Sequence, residues 1–112
     1  MEKTVLIVDD SESNIDILVE LLAPTYEVVV SMDGENALEM ANELEIDIIL
    51  LDIVMPGMDG YEVCGELKTN PKTKEIPILF ITAKSDDESI AKAYEVGGVD
   101  YVTKPFRPKE LR

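Results

Sequence analysis

Five short runs of apolar and β-branched residues, at 4–8, 27–31, 47–51, 78–82 and 101–103, constrain this chain more than any other feature. Each has the length of a strand, and stretches such as IDIILLD and IPILFIT show almost no polar alternation. A strand that is apolar on both sides must be covered on both sides, which is the condition of a parallel sheet between helices. Between the runs, apolar residues recur at helical spacing: Ile15, Leu18, Leu21 and Leu22; Ala37, Leu38, Ala41 and Leu44; Val63 and Leu67; Ile90, Ala91 and Tyr94. The boundaries agree, with Ser11 or Ser13 suited to cap the first helix, Asp33-Gly34 to turn into the second, and Gly97-Gly98 to end the fourth. Regular alternation of strand and helix, with right-handed crossovers, predicts a doubly wound α/β domain around a five-stranded parallel sheet.

At 112 residues and 46% hydrophobic content the chain is sized for one domain with one core, 1–112, and it contains no internal repeat. Pro108 suits the first turn of a fifth helix, yet only four residues follow it. The expectation is a truncated fifth helix at the end of a fragment of a longer protein. Twenty-four acidic against ten basic residues give a formal charge of −14, which repels phosphate backbones and anionic membranes and favours small cations as partners. No basic-plus-apolar leader and no apolar span of membrane length occurs, so a cytoplasmic location is expected. The single Cys64 is read as an inert packed thiol without a cationic neighbour, and Met55 and Met58 as packing residues.

Ligands of open α/β sheets bind beyond the carboxyl ends of the strands, and the polar landmarks of this sequence gather there. Asp9 and Asp10 follow the first run, Asp52 the third, Thr82 ends the fourth and Lys104 follows the fifth. Three carboxylates within about 5 Å repel by roughly 3 kcal/mol per pair at an effective dielectric near 20, more than one lysine offsets. A hard divalent cation such as Mg²⁺ meets that demand and leaves coordination positions for phosphate oxygens. With no histidine and one cysteine, soft-ligand metals are disfavoured. Carboxylates, a cation, a lysine and a hydroxyl suit phosphoryl transfer. Asp52, alone at its strand end, is the candidate nucleophile; Asp9 and Asp10 are the candidate metal ligands; Lys104 and Thr82 are candidates to hold the phosphoryl oxygens.

These residues, with VDD at 8–10, LLDIVMPGMDG at 50–60, ITA at 81–83 and YVTKPF at 101–106, resemble the receiver domain of two-component response regulators over nearly the whole chain. The resemblance implies a flavodoxin-like sheet of strand order 2-1-3-4-5. It further implies that Asp52 is the phosphoacceptor, and that Asp10, Asp52 and the Val54 carbonyl bind Mg²⁺ directly, with Asp9 acting mainly through water and Mn²⁺ as an alternative ion. Lys104 holds the phosphoryl group, and the donor is a phosphohistidine on a histidine kinase or histidine phosphotransfer protein. Thr82 and Tyr101 form a switch pair coupled to a C-terminal output domain, a partner protein or a phosphorylation-linked homodimer. On the same resemblance the Lys104-Pro105 bond is cis and aims the lysine. Pro56, Gly57 and Gly60 shape the loop after Asp52. Val54 and Lys84 occupy variable family positions that bear on acyl-phosphate lifetime.

Such a chain is not an enzyme on other substrates; it catalyses its own phosphorylation and dephosphorylation. Three other readings compete. A flavin carrier of the same architecture needs a glycine- and hydroxyl-rich phosphate loop after the first strand, where DDSESN stands instead. A haloacid-dehalogenase-type phosphohydrolase resembles an Asp-x-Asp pattern, whereas residue 54 is valine. The third is a receiver-like binding module that is never phosphorylated.

Overall fold

In the computed structural model of the chain, residues 3–53, 55, 57–82 and 100–103 are described, without the side chains of Thr82 and of residues 100–103. The expected fourth and fifth helices, Lys84, Gly97-Gly98, Lys104 and Pro105 lie outside the described residues, as do Val54 and Pro56.

Strands β1 (Thr4–Val8), β2 (Glu27–Ser31), β3 (Ile48–Asp52), β4 (Ile78–Thr82) and β5 (Asp100–Thr103) alternate with helices α1 (Glu12–Leu22), α2 (Gly34–Glu43) and α3 (Gly60–Thr69) as far as β4. All pairings are parallel and the order is β2-β1-β3-β4-β5. Two strands depart from the sequence reading, β3 at both ends and β5 at its start. β3 runs one residue further along the chain than 47–51, because Asp47 is held outside the ladder: its carboxylate accepts the Thr4 N–H at 2.7 Å while its own N–H donates to the Thr4 carbonyl. Asp52 is therefore the last residue of β3, paired in register with Ile81, rather than the first residue after it. β5 begins at Asp100, one residue earlier than expected.

Period-2 geometry sends alternate side chains of the apolar strands to opposite layers. On one face Leu6, Val8, Ile49 and Leu51 pack with Ala37 and Ala41 of α2 and with Val63, Cys64 and Leu67 of α3. On the other, Val5, Ile7, Leu50 and Ile81 pack with Ile15, Leu18 and Leu22 of α1. Leu6, Ile7, Val8, Ile49 and Leu51 have no exposed surface, which is what their uninterrupted hydrophobicity demands. Met55 is buried in the α2–α3 layer and Met58 is packed against it, so both serve the core, while the Tyr61 ring lies 5.7 Å from that of Phe80.

The helices start where the sequence offers caps. Ser11, not Ser13, caps α1, its hydroxyl accepting from the Asn14 N–H at 3.5 Å. Asp33 caps α2 through the Asn36 N–H at 2.7 Å. Asp59 and Glu62 close a reciprocal capping box on α3, each carboxylate accepting the other's N–H. The loop from α3 to β4 is fastened by two side chains: Lys68 Nζ donates to the carbonyls of Lys74 and Ile76, and the Thr73 hydroxyl donates to that of Leu67 at 2.7 Å.

Cys64 is fully buried in the α2–α3 layer. The sequence reading gave it no cationic neighbour, but Lys68, one turn along α3, is near enough to favour the thiolate. Burial prevails, and the thiol is pushed up from 9.0 to about 11. No described helix is long and apolar enough to cross a membrane.

Candidate functional site

Parallel strands all finish at one edge of the sheet, and this edge gathers the acidic residues. Asp9 and Asp10 leave β1, and Asp52 closes the neighbouring β3. One carboxylate oxygen from each lies within 4.8 Å of the others. Separated by more than forty residues in sequence, the three become neighbours because β1 and β3 are adjacent and end level, Val8 opposite Leu51.

Their surroundings differ. Asp9 has no exposed surface and Asp52 is 4% exposed, whereas Asp10 is open to solvent. Asp9 is fixed from several sides: its Oδ1 accepts the Ser11 N–H at 2.9 Å, and its own N–H donates to the Ser31 carbonyl at the end of β2. Ser31 is itself buried, its hydroxyl 2.9 Å from the Asp33 carbonyl and 2.8 Å from Asn36 Oδ1. The end of β2 thus ties the start of α2 to the loop that carries Asp9.

Asp52 is held from its other side by the return of the chain. Ile53 N–H donates to the Ile81 carbonyl, extending the β3–β4 ladder past Asp52, and Gly60 N–H donates to the Ile53 carbonyl at 2.9 Å. The chain therefore returns to Ile53 at Gly60, and Gly57 stands at φ +75°, a backbone region that favours glycine. Gly60 is needed for space: a Cβ there would meet the Asp52 carbonyl oxygen and come within 2.7 Å of Ile53 Cα.

A carboxylate triad of this kind fits a hard cation. Two buried acids and one exposed one offer oxygen ligands only, with an opening toward solvent at Asp10 for water or phosphate oxygens. Thr82 ends β4, the strand next to β3 and its Asp52, and pairs in register with Thr103; Tyr101 of β5 pairs with Phe80 of β4. The backbone thus brings Thr82 to the same edge as the acids. Lys104, the next residue in sequence after Thr103, lies outside the described residues. Sequence reasoning missed the buried Ser31 and the Asp59–Glu62 box. The latter was visible as Asp-x-x-Glu ahead of a helical pattern; the former had no signal, since its role depends on which strand β2 joins.

Residues 5–112 match the family model of the response regulator receiver domain. The chain belongs to that family. It is 48% identical over 102 residues to a probable cyclic di-GMP phosphodiesterase of Vibrio cholerae, covering 91% of this chain and 23% of that protein. Among solved structures, chemotaxis protein CheY4 of Vibrio cholerae superposes with a TM-score of 0.94 at 33% identity, over 99% of this receiver and 93% of CheY4. The receiver domain of sensor histidine kinase PA1611 from Pseudomonas aeruginosa, with a magnesium ion coordinated in its active-site cleft, gives a TM-score of 0.91 at 28% identity, over 99% and 92%. This receiver spans about a quarter of the length of the curated relatives it matches. It is a flavodoxin-like receiver domain of two-component signalling, and neither the phosphohydrolase nor the unphosphorylated binding module is favoured by these likenesses.

Proposed function

We propose that Asp52 is the phosphoacceptor of this receiver and that Asp9, Asp10 and Asp52, with the Val54 carbonyl, hold Mg²⁺, for which Mn²⁺ substitutes. The observation that carries the reading is the convergence of three carboxylates within 4.8 Å at the carboxyl edge of a parallel sheet. An Asp52 carboxylate oxygen attacks phosphorus, the P–N bond of a phosphohistidine breaks, the imidazole leaves with that electron pair and takes up a proton, and an acyl phosphate remains on Asp52. A bound divalent cation supplies neutralisation of the charge on the transferring group. The chain's own work is positional: Asp9 is oriented by the Ser11 and Ser31 backbone, and Asp52 is clamped between β4 and the Gly60 turn. Lys104 pairs with the phosphoryl oxygens, Pro105 aims it, and Pro56 helps shape the loop after Asp52. Thr82 donates a hydroxyl to the phosphoryl group and, with Tyr101, passes the change toward an output domain, a partner protein or a homodimer.

The donor is a histidine kinase or histidine phosphotransfer protein in the cytoplasm, and any effector enzyme belongs to a separate domain. The test is incubation with Mg²⁺ and acetyl phosphate, followed by intact mass. One base-labile phosphoryl adduct is expected, absent in Asp52→Asn; modification at another residue, or none with any donor, refutes the assignment.

A further inference from the structure

Ser31 closes β2 with 2% of its surface exposed, a polar side chain sealed at the edge where the three acids meet. Its main chain and its hydroxyl serve different parts of that edge. The Ser31 carbonyl accepts the Asp9 N–H at 3.1 Å, just past the paired Val8 and Ser31. The hydroxyl lies 2.9 Å from the Asp33 carbonyl and 2.8 Å from the Asn36 side-chain amide. A hydroxyl carries one proton, so both contacts are met when it donates to Asp33 and the Asn36 amide turns its NH₂ toward the hydroxyl oxygen. The Asn36 backbone N–H donates in turn to Asp33 Oδ1 at 2.7 Å. Ser31, Asp33 and Asn36 thus form a closed latch between the end of β2 and the first turn of α2.

That turn is also wedged against the other half of the site. A Cβ on Gly34, the first residue of α2, would lie 3.1 Å from Met58 Cβ in the loop that follows Asp52. The latch therefore fixes the strand end that holds Asp9 and seats α2 against the loop that leaves Asp52. We infer that Ser31 and Asn36 are positioning residues for the cation site, setting how the Asp9 and Asp52 carboxylates stand to one another while lying outside the ligand set. The inference rests on the reading that Asp9, Asp10 and Asp52 hold Mg²⁺. It carries a selectivity, because Mg²⁺ demands near-ideal octahedral geometry at short distances whereas Ca²⁺ accepts flexible, irregular shells. Loosening the latch should cost Mg²⁺ far more than Ca²⁺.

The test is isothermal titration of the chelator-treated chain with Mg²⁺ and with Ca²⁺. Ser31→Ala is expected to weaken Mg²⁺ about tenfold, the lower range for groups that orient metal ligands, and Ca²⁺ much less. Asn36→Ala keeps the backbone cap on α2, should lower the Mg²⁺-to-Ca²⁺ affinity ratio in the same direction, and decides the matter should Ser31→Ala fail to fold. Thr73→Ala removes another buried hydroxyl bond, to the Leu67 carbonyl between α3 and β4; it should lower Tm and leave the ratio unchanged. A ratio unaltered in either folded latch variant, or lowered as much by Thr73→Ala, overturns the positioning role alone. Absence of Mg²⁺ binding by the parent chain overturns the cation-site reading and this inference with it.

Discussion

Asp9 and Asp10 are neighbours in sequence with opposite surroundings, one sealed and fixed by backbone N–H and carbonyl groups, the other open to water. The metal-free domain must hold the sealed charge beside Asp52, so Asp9→Asn is expected to stabilise it by about 1–3 kcal/mol, a rise of roughly 4–10 °C in Tm. The same variant should lose most of the Tm increment that Mg²⁺ gives the wild type; calorimetry with and without chelator measures both. Cys64 makes a second prediction. With its thiol raised to about 11 from 9.0, the thiolate fraction near pH 8 falls about a hundredfold, so alkylation by iodoacetamide should be at least that much slower in native than in urea-unfolded protein. Because the folded thiol keeps its proton above the pH at which the unfolded one loses it, this group's contribution to stability is lost as pH rises from about 9 toward 11. The residue types at the site were legible from VDD and the lone Asp52. Their unequal burial was not, because it is set by β2 and β4 packing alongside from distant parts of the chain.

At the scale of elements, the apolar runs and caps announced most boundaries, and β1, β2 and β4 fall where hydrophobicity alone puts them. The slips came where a side chain competes with the ladder, as Asp47 does at the start of β3. Helix-to-helix fit was also invisible in sequence. A Cβ on Gly34 would lie 2.7 Å from Val63 Cγ2, so α2 and α3 meet at a position that only a hydrogen fills. Gly60 faces backbone instead of a movable side chain. Gly60→Ala is therefore expected to cost about 1–3 kcal/mol and Gly34→Ala less, as read from urea midpoints at constant slope. Removing the α3 capping box with Asp59→Ala should cost about 1 kcal/mol, with any loss of Mg²⁺ affinity small by comparison with that of Asp9→Asn.

Over the whole molecule, a net charge of −14 opposes compaction. In chelated buffer, raising KCl from about 0.01 to 0.5 M should lift Tm by screening that repulsion, and Mg²⁺ should raise it further at concentrations too low to screen. An unchanged Tm across this range would show that the excess charge is already spaced widely enough to be harmless. The same excess bears on β2, which among the described residues pairs only with β1 and whose Val28, Val29 and Val30 are half-buried. An open row of peptide groups beside three valines is a template for growth by strand addition. Like charge on Glu20, Glu27, Asp33 and Glu35 keeps copies of the chain apart, so replacing these four with glutamine and asparagine should let fibrils seed from β2, read as thioflavin fluorescence that the parent chain does not develop.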